Sequence, residues 1–258
     1  MRFAFATAAI LSAITAGITP AGTIASAEAR TLARPALPAP PPITANPAMW
    51  LTVKSEIGQN YVHMASGAIC SDQFRGLTLV AITDYAPDGT NSSCQYDMLG
   101  GKEFQRMTLY VYTAEGLTGP IAYKGAKQAI GQINETSAIT VTERKEEGQQ
   151  CHRGVIKPLA ESILGRMKKE GSEGQEANLG LGLAMYDYSI PARGERPAQE
   201  QTSLLSVYQT GKWIVKTRVT MDKTENSYET ACNYGGITSV AMARVITRGD
   251  APAYTPEG

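Results

Sequence analysis

The chain has 258 residues, in which 24 Lys and Arg balance 24 Asp and Glu and only two are histidines. This balance sets up no long-range field to draw in nucleic acid or an anionic membrane, so neither is expected as a partner. With two histidines and no Cys-x-x-Cys pair, no dedicated zinc site and no cofactor are expected.

The chain begins 1-MRFAFATAAILSAITAGITPAGTIASAEA-29, with an early Arg2, an apolar run from Phe3 to Ile18 and the small residues Ala25-Ser26-Ala27. That is the layout of a secretory signal peptide over 1–27, with cleavage expected near Ala27 or Ala29. The apolar run falls short of the about 20 strongly apolar residues a membrane anchor needs, so no transmembrane segment is expected after cleavage. Removing 1–27 takes away Arg2 and no acidic residue, and 24 against 24 becomes 23 against 24. Residues 28–48 hold six prolines between Pro35 and Pro47 and read as an extended linker or tail. A single α+β domain is expected over 49–247, and a flexible tail over 248–258. The implied location is periplasmic or secreted.

Residues 77–83, LTLVAIT, are β-branched and aliphatic, and run into the turn-forming 84-DYAPDGTNSS-93. Residues 94–98 return as a partner strand and 107–113 supply a third, giving an antiparallel meander. From Ile121 the period becomes helical through Ala122, Ala126, Ala129, Ile130 and Ile133, started by Gly119-Pro120. Residues 138–143 alternate as a strand, and 151-CHRGVI-156 is its expected partner across a charged turn. Pro158, Leu159, Ile163, Leu164, Met167 and Gly171 mark a second helix. Residues 179–190, 203–209 and 213–221 read as three more strands, the last two joined across Thr210-Gly211. In the last of these Trp213, Val215, Thr217, Val219 and Met221 share one face, opposite Ile214, Lys216, Arg218 and Thr220. After a flexible Gly235-Gly236, the spacing of Ile237, Val240, Ala241, Arg244 and Val245 predicts a terminal helix. Strands grouped together, with helices between the groups, predict an α+β fold: an antiparallel β-sheet with helices packed on it, sandwich-like.

This order, with a meander ending in LYVYTAEG, a helix, further strands and GKWIVKTRVT before a terminal helix, resembles bacterial envelope proteins of the PsbP-like class. The resemblance covers residues 60–245. It implies an antiparallel sheet with helices on its faces and an envelope location, and it carries no functional residues over to this chain.

Four cysteines, Cys70, Cys94, Cys151 and Cys232, make two disulfides the expected state of an exported chain. Three pairings are open from sequence. Cys70–Cys94 and Cys151–Cys232 are favoured, since the first brackets one strand-and-turn unit and the second ties the C-terminal helix to a strand. The stretch 148-GQQCH-152 looks like a haem-attachment motif with Gly148 in the place of its first cysteine, but haem use of Cys151 would leave an odd thiol. If 151–156 is a strand, Cys151 and His152 point to opposite faces, so they do not form a nucleophile and base.

The loop 84-DYAPDGTNSSCQ-95 has Asp at positions 1 and 5 and Gly at 6 of a calcium-loop pattern. Ala86 and Gln95 stand where oxygen ligands are needed, so it reads as a hairpin turn and no metal site is expected. Asp97 and Asp187 each follow a tyrosine in a strand; a pair of acids in one cleft is weighed against two residues pointing to solvent. Asn91 and Asn134 begin N-x-S/T triplets, which matter only in a glycosylating pathway.

No catalytic constellation emerges. The chain reads as a non-enzymatic binding or assembly module whose partner is an envelope protein or a small ligand. The alternatives are an enzyme whose acidic or basic site converges only in the fold, and a binder of small anions with Lys216, Arg218, Tyr186 and Tyr188 as ligand-binding residues.

Overall fold

The computed structural model describes residues 43–55, 58–99, 104–159, 161–162, 182–236, 238 and 242. The expected signal peptide, most of the Pro-rich segment, the bulk of the second and terminal helices, and the tail over 248–258 lie outside these residues.

Two antiparallel sheets form the fold. The smaller is made of β1 (Trp50–Ser55), β2 (Gly58–His63) and β3 (Ile69–Ser71), in that order. The larger contains β4 (Gln73–Phe74), β5 (Leu77–Asp84), β6 (Asn91–Asp97), β7 (Gln105–Tyr112), β8 (Thr140–Glu143), β9 (Gly182–Ile190), β10 (Gln199–Thr210) and β11 (Trp213–Asp222). Its order is β4-β5-β6-β7-β11-β10-β9-β8. The meander over β5 to β7 and the hairpin of β10 and β11 form as expected. Gly211, at φ 55°, begins the two-residue turn between paired Thr210 and Trp213, where a left-handed backbone suits the strand twist. The fold class is therefore α+β, with both favoured disulfides, Cys70–Cys94 and Cys151–Cys232, closed.

Alternation divides the large sheet into two faces. Met107, Leu109 and Val111 of β7 and Val215, Val219 and Met221 of β11 point to one side. There they pack with Trp50, Tyr61 and Cys70 of the small sheet and with Cys151, Ile156, Ala231 and Cys232. On the other side α1 (Gly119–Thr136) lays Ala122 and Ile130 over Tyr186 and Tyr188 of β9, Leu205 and Val207 of β10 and Ile214 of β11. Pro120 stands in the first turn of α1, where its missing N–H is harmless, and at the far end the Ser137 N–H donates to the Ile133 carbonyl. Gly182 lies under the Tyr123 ring, where a Cβ would strike the aromatic atoms; the close approach is what a glycine within a strand permits.

Three local expectations are corrected. Residues 151–156 are not a strand: α2 (Lys145–Cys151) runs into a π-helical turn, His152–Ile156. Glu146 and Glu147 suit the first turn of a helix, and the turn puts Cys151 and Ile156 together in the core, which a strand cannot do for residues five apart. The Cys151–Cys232 bond accordingly joins two helical segments, since Cys232 opens a second π-helical turn, Cys232–Gly236, after α3 (Ser227–Ala231).

Gly235 and Gly236 belong to that turn and are buried. A Cβ on Gly235 would come 2.5 Å from Leu204 Cδ2, and one on Gly236 would strike the Ile156 side chain. These two glycines allow packing rather than supply flexibility. Finally, residues 50–74, to which the sequence assigns no element, supply the entire small sheet and β4.

Candidate functional site

Cross-strand register builds the site on the α1 side of the large sheet. Lys216 stands opposite Tyr110 of β7 and Val207 of β10, and Arg218 opposite Thr108 and Leu205. The Lys216 ammonium sits 4.0 Å above the centre of the Tyr110 ring and 5.7 Å from that of Tyr112. Tyr85, on the loop after β5, stacks on Tyr110 at 6.4 Å and extends this aromatic wall outward. The Arg218 guanidinium lies 5.5 Å from the Tyr188 ring centre; its Nη2 donates to the Tyr188 hydroxyl at 3.0 Å, and its Nε reaches Ser203 Oγ at 3.5 Å.

These contacts orient both cations without neutralising either. Among the described residues, Lys216 and Arg218 take part in no ion pair with a carboxylate. Burial, reinforced by the neighbouring Arg218, brings the Lys216 ammonium down to about 8. Cation–π contacts stabilise a partly desolvated ammonium by about 1–2 kcal/mol, which is less than a full counter-charge supplies. An anion arriving over the two side chains would supply it.

The structure brings together all four residues singled out from the sequence, in unequal roles. Lys216 and Arg218 are half-buried. Tyr188 is buried and steers Arg218. Tyr186 is as buried as Tyr188, packed with α1, with no hydrogen-bond partner for its hydroxyl among the described atoms. Its phenol is pushed up by burial, with the Glu143 charge adding and Arg218 opposing. Tyr85, Tyr110 and Tyr112 were missed. Alternation in QRMTLYVY puts the last two opposite the apolar Met107, Leu109 and Val111, but only the pairing of β7 with β11 shows that they flank Lys216.

Asp97 and Asp187 do not share a cleft. Asp97 accepts two bonds from Arg106, both at 2.8 Å, on the α1 side of the sheet. Asp187 points to the opposite side and is 6% exposed, so its expected solvent position is corrected as well. Its carboxylate accepts from Arg144 Nε at 2.8 Å, Lys223 Nζ at 2.6 Å and the Tyr228 hydroxyl at 2.8 Å. Burial alone would raise its pKa, but the bonds from Lys223, Tyr228 and Arg144 outweigh burial and hold it below the ordinary carboxylate value. A carboxylate so thoroughly engaged is a structural tie between β9, the start of α2 and α3.

The loop after β5 is a hairpin connection. Asp84 accepts from Trp50 Nε1 at 2.8 Å and from Ser92 Oγ at 2.7 Å, and Asp88 accepts from the Thr90 amide at 3.0 Å. His63 is fully buried between Ser66 and Ser92, with its Nδ1 2.8 Å from Ser66 Oγ. Burial holds its pKa below the ordinary imidazole value against the pull of Asp84. It is a neutral core histidine that ties β2 to β6.

No family model matches the chain, and neither does any curated protein or solved structure.

Proposed function

We propose that this protein is an exported, non-enzymatic binding module that takes a small anionic ligand over Lys216 and Arg218. One observation carries the reading: two neighbouring, partly buried cations with aromatic walls and no carboxylate partner among the described residues. Structural cations on this chain look different, since Lys223 and Arg144 are each bound to Asp187. The leader-like N-terminus and two closed disulfides support export, because such bonds persist in oxidising compartments. The resemblance to PsbP-like envelope proteins agrees with that location.

Sulfate titration by calorimetry at low salt tests the reading. The wild type should bind saturably, Lys216→Ala and Arg218→Ala should each weaken binding about tenfold, and affinity should fall as pH rises through about 8 and Lys216 loses its proton. Unchanged affinity in both variants would remove the proposal.

A further inference from the structure

A second cleft lies outside that site, beside the first residues of β9. The strand β8 stops at Glu143, which pairs with Tyr186, and the chain then turns into α2. The first residues of β9, Gly182 to Met185, therefore have no strand on that side among the described residues. Into the gap α2 and the following turn present Lys145, Gln149, His152 and Arg153, while Leu183, Ala184 and Tyr123 form an apolar wall. The cleft is open to solvent and has a volume of about 570 Å³, within the range of small-molecule sites. Gly148 lines it without a side chain, and Gly182 lets the Tyr123 ring close down on the start of the strand.

Its charge is one-sided. Glu143 is the only carboxylate among the lining residues, and the Lys127 ammonium engages it at 2.5 Å. Arg144 is held from behind by Asp187 and Tyr228. Lys145 and Arg153 take part in no ion pair among the described residues, and both are exposed. His152 also lines the cleft, half-buried, because the helix carries it about 100° round from the inward-facing Cys151 instead of to an opposite face. Cationic groups with planar and point-like donors, set beside an apolar wall, match an anionic head attached to an apolar body. A guanidinium and an ammonium together suit the three oxygens of a phosphate monoester.

We infer that the cleft between α2 and the start of β9 is a second binding site, for a phosphate monoester with an aromatic or aliphatic body. Lys145, Arg153 and His152 hold the phosphate, and Leu183 and Tyr123 receive the apolar group. The inference goes beyond the sheet-face site and does not depend on it.

The test is calorimetric titration of the whole chain with phenyl phosphate and with inorganic phosphate at low salt. It is repeated on a Lys145→Ala/Arg153→Ala double variant, on Arg153→Glu, and on a Lys216→Ala/Arg218→Ala double variant. Phenyl phosphate should bind at least fivefold more tightly than inorganic phosphate. Lys145→Ala/Arg153→Ala should weaken it at least tenfold and Arg153→Glu at least as much, both with unchanged melting temperature, while Lys216→Ala/Arg218→Ala should leave it within twofold. Absence of saturable phenyl phosphate binding to the wild type overturns the inference. So does a loss confined to the Lys216 and Arg218 variant, which would leave the sheet-face reading standing and assign the anion to that face.

Discussion

On the side of the large sheet that meets the small sheet and α3, Asp187 faces Arg144 and Lys223, His63 lies between two serines, and the Cys151–Cys232 bond closes the helical segments over the strands. On the α1 side, Lys216 and Arg218 have aromatic rings and hydroxyls for neighbours and no carboxylate among the described residues. A buried charge is tolerated when paired and hydrogen-bonded, so the first arrangement is what stability selects. The second leaves Lys216 and Arg218 without a carboxylate partner among the described residues, the arrangement on which the proposed anion site rests. Polar groups on the first side should therefore be costly to remove, and the cations on the second side cheap.

The largest effect belongs to the covalent tie. The Cys151–Cys232 bond spans a sequence separation of 81, and loss of the loop constraint should cost about 4.5 kcal/mol in the chain-entropy model. Cys70–Cys94, with a separation of 24, should cost about 3.5 kcal/mol. Urea unfolding of the two double Cys→Ala variants measures both. Equal losses would show that strain or residual structure, and not loop length, governs them.

Next in size is Asp187. Asp187→Ala strands two cations against one another and leaves the Tyr228 hydroxyl without its acceptor, at a cost of about 2–3 kcal/mol. The wild-type contribution has a pH signature. Because the carboxyl is held below its unfolded value of 3.8, this stability is present above that value and is lost as pH falls through the lower, folded one. Acid unfolding monitored in wild type and Asp187→Ala should show the difference between them closing below pH 3.8. A constant difference at every pH would place the effect in packing.

His63 should give a smaller, separable slope. Its folded pKa is depressed, so the unfolded chain takes up the proton first, and stability is lost as pH falls below 6.5. The loss should approach about 1.4 kcal/mol per pH unit until the folded pKa is reached. Denaturation of wild type and His63→Gln at pH 7.5 and 5.5 reads it, and a slope that survives the substitution would assign it elsewhere.

What the sequence made legible follows from the range of the interaction. Alternation in 107–113 and 213–221 is local, and it placed β7 and β11 and separated Lys216 and Arg218 from the apolar face. The cysteine pairing was reachable because four cysteines allow few choices. Residues 151–156 went wrong because the burial of Cys151 and Ile156 together is a tertiary demand, met by a π-helical turn that no local periodicity announces. Residues 50–74 were silent because β3 and β4 are short and the small sheet takes hydrophobic partners from the large one. The tyrosines around Lys216 needed register between β7 and β11, which pairs residues about a hundred positions apart.

The smallest expected effect is also the one that separates the two sides most directly. Lys216→Met keeps the length and apolar stem of the side chain but removes a cation that burial and Arg218 both disfavour. At pH 7 the variant should be no less stable than the wild type, with a gain under about 1 kcal/mol once the lost contact with the Tyr110 ring is set against it. The sign of the pH dependence follows from the depressed pKa. Below about 8 the native lysine stays charged in a poor setting, and between about 8 and 10.5 the folded protein has released a proton that the unfolded chain still binds, so the wild type recovers. The advantage of the variant should therefore shrink across that interval in paired urea titrations at pH 7, 8.5 and 10. A Lys216→Met protein clearly less stable than the wild type at pH 7 would mean that this lysine is held in place for the fold, and the contrast between the two faces would fail at its central residue.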